Sequence, residues 1–90
     1  MVTKHSKFVA KCDSWLLGCD AIAGIGPANA KKMKEQGLDI AWQVIEKYLL
    51  YDRDEQKLNA WLKGTVQLKD KHAKDATKCI VQWCDIFIKI

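Results

Sequence analysis

The stretch Ile22-Ala23-Gly24-Ile25-Gly26-Pro27-Ala28-Asn29-Ala30-Lys31-Lys32-Met33 brackets one apolar residue with two glycines and then runs into a helix-compatible segment. Gly24 and Gly26 read as positions that admit positive φ and let bare backbone approach a ligand. Ile25 between them is expected to plug into the core, Ala30 to let two helices come close, and Met33 to pack one turn further on. Pro27 suits a first helical position, where its missing N–H costs nothing. Together these features form the pattern of a helix-hairpin-helix at about residues 20–36. The first amides of such a helix have no intrahelical acceptor, and the helix dipole is positive there, so the bend offers a socket for a phosphate oxygen. A socket of this kind touches backbone and not base edges, and so positions a duplex without reading its sequence. The plainer alternative is a tight turn between packed helices. Pro27, Ala30 and the Lys31-Lys32 pair favour the socket.

Working outward, the Pro27 helix is expected to end near Gln36, with Gly37 as a left-handed terminator. Upstream, Thr3 to Lys11 reads as a short amphipathic helix. Cys12 to Asp20 reads as irregular, with Trp15, Leu16 and Leu17 folding back onto the core. Downstream, Asp39 is placed to cap a helix over Ile40 to Leu50, with Ala41, Trp42, Ile45, Tyr48 and Leu49 along one stripe. Asp52 followed by Glu55 resembles a capping box for a helix carrying Leu58, Trp61 and Leu62, with Gly64 in or after its last turn. After Asp70, the steps Ala76, Ile80, Trp83 and Phe87 predict a final amphipathic helix. No segment sustains a strand alternation. The fold class is all-α, one domain over residues 1–90.

Ninety residues with four tryptophans and a single proline carry enough apolar surface for one small core. No uncharged stretch approaches a membrane span, and the N-terminus shows no signal-peptide run, so a soluble intracellular chain without membrane insertion is expected. Cys12, Cys19, Cys79 and Cys84 form no CxxC pair, and His5 and His72 have no ligand neighbours at helical spacing. Reduced thiols and no metal or other cofactor are the reading. Fifteen lysines and arginines against eleven acids give a net charge of +4. That suits contact with a polyanion, although most such charges in any domain are simply solvated.

Beyond the hairpin, Lys4-His5 stands ahead of Phe8-Val9-Ala10, and Ala23-Gly24-Ile25-Gly26 is followed by Lys31-Lys32, Gly37 and Asp39-Ile40-Ala41. Asp54-Glu55, Trp61-Leu62-Lys63, Cys79, Trp83-Cys84-Asp85 and Phe87 complete the series. In this order the residues resemble the barrier-to-autointegration factor family, small chromatin proteins of animal nuclei. The likeness covers nearly the whole chain, with about one inserted residue before the hairpin. It implies a compact five-helix domain plus a short helical turn, paired as a two-fold homodimer that bridges double-stranded DNA, in nucleus and cytoplasm. It also implies a DNA-contact set of Lys4, Gly24, Ile25, Gly26, Ala28, Asn29 and Lys32, flanked by Lys71 and Lys74.

The resemblance further implies a groove for LEM-domain proteins of the nuclear envelope, in the region of Glu46, Tyr48 and Lys57. There this chain carries charges at Glu46 and Lys57 where the family usually has a glycine and an apolar residue, and unpaired charges are costly to bury. That departure motivates a second reading, a paralogue that dimerises with a DNA-binding relative and modulates it. A third reading, a hairpin fragment of a repair enzyme, lacks a poised base, nucleophile or metal cluster. Asp52, Asp54 and Glu55 sit where carboxylates serve as caps. The expected class is non-enzymatic.

Overall fold

The computed structural model describes residues 3–88. Within them the chain forms five α-helices: α1 (Lys4–Val9), α2 (Pro27–Glu35), α3 (Ala41–Leu50), α4 (Glu55–Gly64) and α5 (Asp70–Phe87). Two 3₁₀ turns, Cys12–Leu16 and Cys19–Ala21, fill the segment expected to be irregular. The element ahead of the hairpin is thus reduced to one 3₁₀ turn, bounded by extended backbone at Gly18 and Ile22.

The eighteen residues of α5 extend about 27 Å at 1.5 Å per residue, nearly the longest dimension of a molecule measuring 30 × 29 × 22 Å. Its stripe Ala73, Ala76, Ile80, Trp83 is buried as the periodicity requires, and Phe87 is half-buried against the core. Around it gather Phe8 of α1, Ile22 and Ile25 of the hairpin, Met33 of α2, Val44 and Ile45 of α3, and Leu58 and Leu62 of α4. Each such side chain contributes roughly 1.5–3 kcal/mol when fully withdrawn from water. Phe8 meets Trp83 at 6.3 Å between ring centroids, and Trp83 donates its indole N–H to the Lys11 carbonyl at 3.1 Å. These contacts fasten the short α1 to the long helix. Buried Ser14 donates its hydroxyl to the Phe8 carbonyl at 2.7 Å and turns the chain back over α1.

Helix ends follow local chemistry, with two departures from expectation. Gly37, at φ +86°, closes α2 in a Schellman arrangement, its amide bonding Lys34 and the Leu38 amide bonding Met33. At α3, Asp39 is not the cap. The Gln43 side-chain oxygen instead accepts from the amides of Asp39 (2.6 Å) and Ile40 (3.1 Å). At α4, the carboxylate of Asp54, not Asp52, accepts from the amides of Gln56 and Lys57. Asp52 and Arg53 take positive φ in the turn before it, which puts Asp52 out of reach of the helix amides.

Trp15 packs edge-on against Trp42 at 5.8 Å, as expected for a residue folding inward. Leu16 and Leu17 do not follow it. They are 56% and 48% exposed, because Leu16 ends the tight 3₁₀ turn on a different side from Trp15 and Leu17 leaves it in extended backbone.

Candidate nucleic-acid interface

The hairpin is built from one turn and one helix start. The Ile25 amide donates to the Ile22 carbonyl at 3.1 Å, and Gly24 has φ +83°, the geometry of a type II turn with glycine at its third residue. Ile25 is fully buried, as its place between the glycines requires. The exposed ammonium of Lys4 donates to the Ile25 carbonyl at 2.5 Å, so α1 braces the bend from outside the core.

The two glycines differ. A Cβ on Gly24 would collide with the carbonyl oxygen of His72 and lie 3.0 Å from the Asp75 Cβ. A Cβ on Gly26 would meet nothing within 4 Å. Gly26 has φ −89° and ψ 179°, extended backbone open to any residue, so the expectation of positive φ there is corrected. Packing and conformation both leave position 26 unconstrained.

Gly26 is the N-cap of α2, and its carbonyl accepts from the Ala30 amide at 2.9 Å. Pro27 at the first helical position brings no donor. The amides of Gly26, Ala28 and Asn29 find no acceptor among the described residues. They line a shallow concavity of about 320 Å³, bordered by Lys4 and His72, at the positive end of the helix dipole. Three free amides around an open glycine suit an anion oxygen.

Lys32 lies one helical turn beyond Ala28 and is exposed on the same face of α2. Lys71 is exposed at the start of α5. Lys74 is exposed but pairs with Asp70 at 3.4 Å, and it borders a separate depression between α4 and α5 with Asn59 and Lys78. Asp70 also accepts from Lys63 at 3.0 Å, and the two ammonium groups hold its carboxyl below the usual carboxylate range. The structure therefore gathers Lys4 and the hairpin residues around one concavity and leaves Lys74 outside it. His72, whose buried Nδ1 has no partner among the described residues, borders the concavity and was missed from sequence. Its place, one turn before Ala76 on the core stripe, gave no functional signal.

The supposed groove residues separate. Glu46 and Lys57 are exposed, whereas Tyr48 is buried in the core of the single chain, where burial raises its phenol pKa. Tyr48 thus packs with Val44 and Ile45 in the core and, at 3% exposure, offers almost no surface to a groove on the single chain. All four cysteines are free. Cys12 is exposed and the other three are buried. Among the described residues no cluster of histidines, cysteines and acids is arranged to hold a metal ion.

Comparison with known proteins decides the family. The sequence model described as Barrier to autointegration factor matches residues 1–87. The Homo sapiens barrier-to-autointegration factor is 35% identical over 85 residues, 94% of both chains. The Danio rerio protein is also 35% identical, over 94% of this chain and 93% of its own. Barrier-to-autointegration factor 1 of Caenorhabditis elegans is 40% identical over 67 residues, 74% of this chain and 75% of its own. The chain belongs to the barrier-to-autointegration factor family. Members are small helical DNA-binding chromatin proteins, and the all-α architecture seen here is theirs.

Proposed function

We propose that this chain is a non-enzymatic protein of nucleus and cytoplasm that binds double-stranded DNA without regard to sequence and bridges duplexes as a two-fold homodimer. The observation that carries the reading is the state of Gly26. It is a glycine that the fold does not need, beside unpaired amides in an open concavity. A phosphodiester oxygen accepts from the Ala28 and Asn29 amides, and the bare Gly26 backbone lets the sugar–phosphate chain come close. Buried Ile25 keeps the bend rigid, Lys4 braces it, and Gly24 permits its turn. Lys32 supplies charge on the same face, and Lys71 and Lys74 act at longer range. Since the contacts go to backbone, affinity falls steeply with salt and little with base sequence.

Self-association is supported by the far end of α3. Leu50 is 72% exposed there, next to half-buried Tyr51, and the Lys47 ammonium lies over the rings of both Tyr51 and Trp61. In the proposed homodimer a second copy would cover Leu50 and Tyr51. Two DNA faces held by one dimer would bridge two duplexes. The exposed charges Glu46 and Lys57 favour solvent over an apolar peptide, so LEM-domain partners are not part of the proposal.

The test is Gly26→Glu. A Cβ at this position meets no protein atom within 4 Å, so the variant is expected to keep its circular dichroism and melting profile. Its carboxylate would occupy the anion socket, and duplex affinity in a gel shift should fall at least tenfold, about 1.4 kcal/mol. A folded variant that binds duplex like the parent rejects the hairpin as the contact.

A further inference from the structure

A second concavity, of about 650 Å³, is separate from the hairpin socket. It lies between α1 and the two 3₁₀ turns. Phe8, Ala10, Leu17 and Ala21 form its floor, and Lys4, Lys7 and Lys11 its rim. Against these three cations it holds one carboxylate, Asp20. The aliphatic stems of lysines extend an apolar floor while their ammonium groups stay in water. The feature is thus a greasy groove with a positive margin, and Leu17 in its floor is 48% exposed. Leu17 is held there by its backbone, which accepts from the Ala41 amide at 2.7 Å.

We infer that this groove is a docking site for an acidic amphipathic helical segment of a partner protein. Lys4 and Lys7 lie one turn apart on α1, and Lys11 follows beyond the helix end in extended backbone, so the three ammonium groups line the groove together. A helix bearing acids beside apolar anchors matches both rim and floor. DNA is the poorer occupant. A phosphodiester gains nothing from an apolar floor and is repelled by Asp20. Lys4 borders both sites, so an acidic segment draws on the ammonium that braces Ile25 and links docking to the hairpin.

The experiment uses the whole protein and a fluorescein-labelled helical peptide with three glutamates and two leucines on one face. Its glutamine counterpart and a short DNA duplex serve as the other probes. The acidic peptide should bind saturably by anisotropy, and its amide shift changes should centre on Ala10, Leu17 and Ala21. Lys7→Gln/Lys11→Gln should weaken the peptide about tenfold, as should Leu17→Glu, while duplex affinity changes less than about twofold at 0.15 M salt, where exposed charges are screened beyond about 8 Å. The glutamine peptide should bind at least fivefold more weakly than the acidic one. All three lysine and leucine sites are exposed, so the variants keep the fold. No saturation by the acidic peptide below about 1 mM overturns the proposal. Undiminished peptide binding by the lysine variant does the same. So does a tenfold loss of duplex binding in that variant, which would make the groove a DNA track. None of these outcomes bears on Gly26, so failure here is distinct from failure of the hairpin reading.

Discussion

At position 24 an added methyl group runs into the backbone of α5, and at position 26 it enters open space. Substitution should therefore separate fold from function within one bend. Gly24→Ala combines a positive φ with a clash against backbone that cannot give way, and should lose about 2–4 kcal/mol. In a domain of this size each kcal/mol corresponds to roughly 4–8 °C in Tm. Gly26→Ala should stay within about 0.5 kcal/mol of the parent, because its φ of −89° suits alanine. Thermal melts of the two variants check this, and equal losses would mean the turn is built differently. Ile25 was legible from sequence because a lone apolar residue between glycines has no favourable place except the core. The distinction between its two neighbours was not, since it depends on α5 passing behind one and not the other.

At the scale of the element, caps decide where helices begin. Asp54 satisfies two amides of α4, so Asp54→Ala should cost about 1 kcal/mol, measured by denaturant unfolding. Asp52→Gly should cost nothing, because Asp52 already sits at φ 58°, where glycine is the easier residue. If Asp52 proved the costly site, the capping pattern Asp52–Glu55 would be the true one. Sequence located the start of α4 to within a few residues and named the wrong carboxylate. Asp52 and Asp54 are equally good capping types, and the backbone turn through Arg53 chose between them. That turn is held from afar, with the Arg53 guanidinium donating to the Ile88 carbonyl at 3.2 Å and pairing with Asp85 at 3.4 Å.

Over the whole molecule, the core carries three thiols that folding keeps protonated. Burial raises Cys19, Cys79 and Cys84 to about 11 from an ordinary value of 9.0, with Asp39 and Asp20 adding to the effect at Cys19. The folded state thus holds these protons after the unfolded chain has released them. Their contribution to stability is fully present below about pH 9 and is lost as pH climbs through about 11. Denaturant midpoints should fall across that interval, and a flat profile would contradict the burial. At neutral pH an alkylating reagent should modify Cys12 readily and the other three only upon unfolding.

The amino-acid sequence alone determined the helical class, the α5 stripe, the hairpin with its buried Ile25, and the free amides at the start of α2. Each follows from local chemistry: period, glycine and proline placement, and the donors every helix start leaves over. It also carried the family resemblance, since the matching residues span nearly the entire chain. Tertiary structure decided what local chemistry leaves degenerate. It sent Leu17 outward, drew Lys74 to Asp70, and brought α1 against the 3₁₀ turns to form a lysine-rimmed groove. Those outcomes depend on which distant surface arrives to cover a side chain, and residue spacing along one element does not encode that.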